Sequence, residues 1–486
     1  MITIKVAEPQ QIELADGYEN ILFARGYLLT KEPSPLPVAH WARLDFGGMH
    51  LAYDPRVGIS TAESESGAVA LLGHAIHVRE DTSDLRVIVA RLHDALAVSR
   101  QSFLNELDKL SGRYVVLDSG REGTWIQSDA VALRSVFWDE SNRAVSSHQN
   151  LLGEIGGLAP SIFGSKTWKR ANKSFSYPGN KSHWDGVKFL SANHQLNLET
   201  FQASRIPMEA PEPTGLAEVA DDTLQMMRVQ LKHLLEYESP LVSLTAGQDS
   251  RTTLAALRPN KNDFQYFTYA LNYSRRLRAV KMDANDSVRI AQDMGLERHS
   301  LMNIEGPLQD VLLNDVMQRN SPRSSNRNVA AMYLTEFPQA QMHIRSSFNE
   351  VGIAAYRTKY APSEVTPEVL SDILTYGTGY SQDTVAATAE YMDESGILNV
   401  AGYDPLDLYY WEVRMGSWLG NISHESDIAF DTHILINSRE MVRTILSAPV
   451  AERAIGNVYH RLIEIAWPEL YKIPVNSVMQ KFPDPQ

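Results

Sequence analysis

Leu241-Val242-Ser243-Leu244-Thr245-Ala246-Gly247-Gln248-Asp249-Ser250-Arg251-Thr252-Thr253-Leu254-Ala255-Ala256-Leu257 decides how the second half of this chain folds. The apolar run Leu241–Leu244 has the length of a short buried strand. Thr245-Ala246-Gly247 supplies small residues for a tight turn, and Arg251–Leu257 has helix-forming composition. A strand, a small-residue turn and a helix N-terminus in that order make an anion site. Backbone N–H groups in the turn point outward, and the helix dipole adds partial positive charge. Gly247 lets an anion approach the backbone closely, and Asp249 suits a metal that bridges phosphates. The pattern points to a nucleotide or pyrophosphate. The same strand, turn and helix also forms without a ligand, because Ser, Thr and Asp are common N-caps and Gly is common in turns.

Working outward, Leu216–Tyr237 predicts a long amphipathic helix ahead of the strand. Phe264–Ala270 predicts a second strand, and Asp286–Met294 a helix ending at Gly295 as its C-cap. Strands alternating with helices predict a parallel α/β sheet. Ile373–Leu470 reads as mostly helical. Upstream, the stretch from Arg205 to Gly215 carries three prolines and few large apolar groups, which predicts a linker. The chain thus divides into 1–205 and 216–486. The first part reads as strands and turns with a little helix. Tyr114–Asp118 and Thr124–Asp129 flank the Gly-rich turn Ser119–Gly123 as a hairpin. Asn193–Leu198 is a further strand, and Leu85–Leu96 and Phe103–Leu110 have helical spacing. Phe482–Gln486 is expected to fray.

With 486 residues, two or more domains are expected. The formal charge of -14 leaves no basic excess to neutralise a nucleic-acid backbone, so no nucleic-acid partner is expected. The chain has no cysteine, which excludes disulfides, thiolate metal sites and a cysteine nucleophile. Met1–Glu8 lacks the features of a signal peptide, and no apolar stretch is long enough to span a bilayer. A cytoplasmic protein with no membrane partner is expected. The histidines are scattered, with no pair at metal-ligand spacing.

Leu241 through Ser250 resembles the strand and Ser-Gly-Gly-x-Asp-Ser loop of the ATP pyrophosphatases of the asparagine synthetase class. Leu110–Asp118 resembles that class's Gly-Arg-Phe/Tyr strand, and Ser128–Phe137 its Arg-Asp-x-x-Gly-x-Arg-Pro-Leu-Tyr segment. The two signatures stand in the family's order, and the resemblance covers roughly residues 60 to 470. It implies a first domain that is an Ntn-hydrolase-like αββα sandwich. It implies a second, α/β domain of the adenine-nucleotide α-hydrolase type with a helical C-terminal part. The family's glutaminase uses a cysteine after the initiator Met. Here Ile2 stands there, so the first domain is degenerate. The resemblance then moves toward β-lactam synthetase, carbapenam synthetase and lasso-peptide cyclases, in which ATP adenylates a carboxylate that an amine attacks.

The resemblance implies ATP and magnesium (Mg2+) as cofactors, bound by Ser243, Leu244, Thr245, Ala246, Gly247, Gln248, Asp249 and Ser250, with Phe267, Asp283, Arg345 and Ser347 nearby. Asp249 and Glu350 are the expected metal ligands. Glu350 lies in Arg345–Gly352, where the family has Gly-x-Gly-x-Asp-Glu; Asn349 replaces the family's Asp, and Glu350 would act as ligand or base. Arg345 and Arg357 would neutralise pyrophosphate. Lys359, Lys472 and Lys481 are candidate charge-stabilising lysines. Asp283 alternatively reads as a helix N-cap, Glu412 and Arg414 as structural charges, and Asp431 as structural. The function implied is an AMP-forming carbon–nitrogen ligase joining a small-molecule or peptide carboxylate to an amine, in natural-product or modified-peptide biosynthesis. A partner-fed or ammonia-dependent amidotransferase and an inactive nucleotide-binding scaffold are the alternatives. Whether the chain forms a homo-oligomer stays open.

Overall fold

The computed structural model describes residues 2–165, 168, 176–272, 277–322, 326–361, 364–377 and 379–475. Lys481 and Phe482–Gln486 lie outside the described residues. The protein is a mixed α/β structure with three sheets among those residues.

The first half holds two antiparallel sheets. One runs in the spatial order Thr3–Ala7, Ile59–Ser64, Gly67–His77, Leu110–Gly120, Gly123–Ser128, His194–Asn197 and Ala203–Arg205. The hairpin read at 114–129 lies in it, with Val115 opposite Ser128 and Gly120 opposite Gly123. Its turn closes on Gly123 at φ 106°, a conformation that side chains rarely adopt. The other sheet runs Val187–Phe189, Phe137–Asp139, Ala144–Ser146, Tyr27–Thr30, Met49–Tyr53 and Ala42–Phe46. Successive side chains of a strand face opposite ways. Val115 and Leu117 therefore enter the core between the sheets, while Tyr114 and Val116 pack beneath the helices Leu85–Val98 and Arg100–Leu107. The second of these helices starts three residues earlier than its apolar spacing suggests. Ser99 caps it by accepting from Ser102 N at 3.0 Å, and the strand already begins at Leu110. The helix Gln149–Gly156 covers the outer face of the second sheet, giving a helix–sheet–sheet–helix order of layers.

The second half is built on a five-stranded parallel sheet ordered His299–Ile304, Gln265–Leu271, Leu241–Ser243, Met342–Ile344 and Asp431–His433. From the central strand the chain builds outward to one side, then returns to build the other. The direction of winding reverses between Leu241–Ser243 and Met342–Ile344. The helix read from Asp286 begins earlier and spans Leu277–Asp293. Among the described residues no helix is long and apolar enough to cross a membrane.

The two halves share one continuous apolar core. A π-helix, Tyr410–Gly420, lies against the first half: Trp411 Nε1 donates to Ala130 O at 2.6 Å. A Cβ on Gly416 would meet Phe189 Cζ at 2.4 Å, and one on Gly420 would meet Ser135 Oγ at 2.5 Å. The contact therefore depends on both glycines lacking side chains.

Charge crosses the same seam. Arg113 donates to both carboxylate oxygens of Asp427, with Nη2–Oδ2 at 2.7 Å, and to Asp431 Oδ1 at 2.8 Å. Arg134 Nη2 reaches Asp431 Oδ2 at 2.8 Å. All four residues are buried. Burial opposes ionisation of Asp431, yet the Arg134 and Arg113 charges outweigh it and hold its carboxyl well below the usual range. Asp129 fixes the adjoining turn, accepting from Leu133 N at 2.9 Å, Arg134 N at 2.8 Å and Asn437 Nδ2 at 3.0 Å. Removing one partner of such a network leaves an uncompensated buried charge. Arg113→Met is expected to lower the unfolding free energy in urea by about 3–5 kcal/mol. Arg121→Met, on the exposed hairpin turn, should change it by less than about 0.5 kcal/mol.

Candidate functional site

In open α/β sheets, ligand crevices form outside the carboxyl ends of the strands where the winding reverses. Here that point lies between the loops after Ser243 and Ile344, so Thr245–Ser250 and Arg345–Glu350 emerge side by side.

The first loop is knotted by its own hydroxyls. Ser250 Oγ accepts from Thr245 N at 3.1 Å and lies 3.0 Å from Thr245 Oγ1, which also accepts from Gly247 N at 3.3 Å. Leu244 is buried; its N–H donates to Phe267 O and its O accepts from Thr268 Oγ1, both at 2.8 Å. Ser243 is half-buried at the strand end. Ala246 stands where the loop it resembles has Gly, and its φ is not left-handed, so the methyl imposes no backbone strain. Gly247 precedes the helix Gln248–Leu257, which has no side-chain cap. Its first-turn donors are therefore not satisfied from within the loop. Asp283 lies inside its helix rather than capping it, and its Oδ1 accepts from Ala246 N at 3.0 Å. Burial raises the Asp283 pKa, against the lowering effect of that hydrogen bond.

Arg251 anchors the C-terminal segment beneath the loop. It is fully buried and donates to Ala246 O at 3.1 Å, to Leu470 O, to Ile473 O at 2.8 Å and to Pro474 O at 2.5 Å. Tyr471 OH accepts from Gln248 Nε2 at 3.2 Å. Lys472, on this pinned segment, is exposed.

The second loop is tied to the first. Ser346 Oγ bonds Thr253 Oγ1 at 2.9 Å, and Arg345 Nε donates to Ser347 Oγ at 3.2 Å. Phe348 adopts a left-handed φ of 74° and turns the chain into the short helix Asn349–Ile353. Asn349 is buried, with its Nδ2 unpaired. Glu350 Oε2 accepts from Tyr410 OH at 2.5 Å. Burial, reinforced by the Glu350 charge, pushes the Asp249 carboxyl up to about 7. Burial also raises Tyr410 and Tyr459, and both hydroxyls feel the Asp249 and Glu350 charges. Two carboxylates and two phenols thus share one electrostatic environment.

Several other predicted residues lie elsewhere. The Phe267 ring packs against Tyr333, Phe337 and His343, wholly buried, so its side chain belongs to the core and only its backbone touches the loop. Lys359 is exposed. Arg357 pairs with Asp404 at 2.5 Å. Glu412 is buried and held by Arg205, by Tyr391 OH at 2.9 Å and by Asn193. Arg414 is clasped by Trp418 and Tyr376. Asp431 belongs to the seam. No sequence motif marks Tyr410 or Tyr459; the only hint is the aromatic run Tyr409-Tyr410-Trp411. Among the described residues no cluster of three or more His, Asp or Glu is arranged to hold a metal.

No family model matches the chain, and no curated protein does. Among solved structures it is similar to an NH3-dependent NAD synthetase from Campylobacter jejuni, at 12% identity, TM-score 0.22, covering 43% of this chain and 96% of that one. A glutamine-dependent NAD+ synthetase from Acinetobacter baumannii with ADP matches at 14% identity and TM-score 0.21, covering 54% and 59%. A glutamine phosphoribosylpyrophosphate amidotransferase from B. subtilis with ADP and GMP matches at 11% and 0.21, covering 65% and 92%. Likenesses this weak carry no argument about function.

The raised Asp249 pKa makes the site's stability pH-dependent. The folded state holds this proton more tightly than the unfolded chain. That contribution is fully present below the ordinary 3.8 and is lost as pH rises through about 7. Asp249→Asn should therefore gain stability relative to wild type between pH 4 and 7 and level off above. Denaturant titrations across that range check it; a pH-independent difference would refute the raised pKa.

Proposed function

We propose that the protein is an ATP-dependent, AMP-forming amide-bond synthetase. The observation that carries this reading is the pairing of the uncapped Thr245–Ser250 loop with the Asp249–Glu350 carboxylates at the point where the sheet's winding reverses. The free helix N-terminus at Gln248–Ser250 suits a polyphosphate, and the neighbouring loop brings Arg345. Magnesium keeps most of its shell as water and phosphate oxygens and takes one or two protein carboxylates. The Asp249–Glu350 pair fits that requirement. Bound there, magnesium would draw charge away from the pyrophosphate leaving group.

In the proposed reaction a substrate carboxylate oxygen attacks the α-phosphorus of ATP, and the bond to pyrophosphate breaks. An amine nitrogen then attacks the acyl-adenylate carbonyl; the carbon–oxygen bond to AMP breaks, and the amine loses a proton. Thr245, Gly247 and Ser250 would hold the phosphates, and Glu350, which accepts from Tyr410 OH, would serve either as magnesium ligand or as the base that takes the proton. Arg345 and Ser347 line the second loop. Lys359 and Lys472, both exposed, are the candidates for stabilising charge. The chemistry rests on positioning and electrostatics. We read the first half as a glutaminase-type sandwich that has lost its nucleophile, and the setting as the synthesis of a natural product or modified peptide in the cytoplasm.

A second reading, a nucleotide-binding scaffold without turnover, is favoured by one observation. The Asp283 carboxylate already occupies the Ala246 N–H, a donor that an active loop would offer to phosphate.

AMP and pyrophosphate release should be measured across a panel of carboxylates and amines, with aspartate plus ammonia included. Turnover that yields AMP and falls at least about 100-fold in Asp249→Ala is expected. ATP binding without turnover supports the scaffold, and absence of magnesium–ATP binding in calorimetry overturns both readings. Asparagine formed from aspartate and ammonia would replace the proposal with the ammonia-fed amidotransferase.

A further inference from the structure

Arg414 is half-buried in the π-helix Tyr410–Gly420. Its Cζ lies 4.4 Å from the centroid of the Trp418 ring and 5.4 Å from that of Tyr376. Nη1 donates to Ser176 Oγ at 3.3 Å. Burial raises the Tyr356 pKa, and the neighbouring Arg414 charge opposes that rise. All of these partners are neutral. No carboxylate lies within ion-pair distance of Arg414 among the described residues, and of the remaining residues only Asp484 is acidic. None of its nitrogens is sealed from solvent without a partner. Rings stack against the flat guanidinium, while N–H donors stay open at its edge. That edge is the half of an arginine–carboxylate pair that the protein itself leaves unfilled.

The ring of Tyr376 is held beside Arg414 at a cost. The helix Pro367–Leu374 ends in a Schellman turn: Gly377 N donates to Asp372 O at 3.0 Å, and Tyr376 N to Ile373 O at 3.2 Å. The residue just past the cap of such a turn is left-handed and is ordinarily glycine. Here it is Tyr376, at φ 55°, although Gly377 follows directly. A bulky residue at that angle is strained, and strain of this kind clusters at ligand sites. What it secures is an aromatic ring that is 62% exposed and stands next to a cation. An exposed ring offers its face to another flat group.

The same helix leads to the carboxylate pair. Tyr410, Arg414 and Trp418 recur every four residues along it, and π segments are frequent at functional sites. Tyr410 OH donates to Glu350 Oε2 at 2.5 Å, and the Tyr356 ring meets the Tyr410 ring edge-on at 5.8 Å. Arg414 therefore stands one turn along the helix from the tyrosine that reaches Glu350.

We propose that the open edge of Arg414, with the Tyr376 and Trp418 rings, holds a second carboxylate of the acyl substrate, which is then a diacid bearing an aromatic group. The carboxylate that is activated rests on the synthetase reading; the second carboxylate rests on Arg414 alone.

The test titrates the full chain, isotope-labelled at arginine, with benzylsuccinate and with benzylsuccinamide. The readout is the Arg414 Nε–H resonance, identified by its loss in Arg414→Lys. Benzylsuccinate should shift that resonance, and benzylsuccinamide should leave it in place. Tyr376→Gly installs the residue the turn prefers, so it should unfold at no lower temperature than wild type. It should nonetheless weaken benzylsuccinate by at least about threefold while leaving ring-free succinate unaffected. AMP release with magnesium–ATP is followed in the same mixtures. A KM for the diacid raised about tenfold in Arg414→Lys, with kcat little changed, completes the expected result. A resonance that responds to both probes or to neither overturns the second-carboxylate site. So does AMP release whose KM is the same in Arg414→Lys. A shift confined to benzylsuccinate, with no AMP formed from any acid, keeps the carboxylate site and overturns the synthetase reading instead.

Discussion

The Arg113–Asp427–Asp431–Arg134 network is the constraint on which the rest of this structure depends. All four charges are buried, so each is tolerated only while its partners are in place. Asp431 opens the strand Asp431–His433, which pairs with Met342–Ile344. That strand feeds the loop carrying Arg345 and Glu350, so the placement of the carboxylate pair traces back to a charge network across the seam. Glycines set the other half of the contact. Gly416 and Gly420 let the π-helix lie directly on Phe189 and Ser135, and the first residue of that helix, Tyr410, is the one whose hydroxyl reaches Glu350. The site belongs to the second half, but its geometry is shared with the first.

Within the site, one feature works against the chemistry it resembles. A loop that binds phosphate needs empty N–H groups, and those of Thr245, Ala246 and Gly247 are filled by Ser250, Asp283 and the Thr245 hydroxyl. The hydrogen bond to Asp283 offsets part of the cost of burying that carboxylate, and it keeps the loop in shape without a ligand. On the proposed function, an incoming phosphate would displace Asp283 or bind beside it.

Much of this was legible in the residues. Leu241–Leu257 announces strand, turn and helix because its apolar run, small residues and helix formers follow one another without conflict. The hairpin at 114–129 was legible for the same reason. Helix starts were read less well. Ser99 as a cap outweighed the apolar spacing that suggested Phe103, and the helix carrying Asp283 begins at Leu277, well ahead of Asp286. Phe267 sits one strand over from the loop, where period-two alternation turns its ring into the core. Tyr459 left no trace in the sequence and Tyr410 only an aromatic run, since both reach the site through tertiary contacts that no local pattern encodes. The charge pairs of the seam join residues about three hundred positions apart, beyond any spacing rule.

That separation has a consequence for synthesis. Arg113 leaves the ribosome 314 residues before Asp427, the carboxylate that neutralises it. At about 5–20 residues per second the gap is roughly 15–60 s. During that interval the two sheets of the first half can form, but one face lacks its charge partners and its π-helix cover. The nascent first half must wait with that face open, and a chain stopped short of Asp427 would be a substrate for chaperones rather than a folded domain.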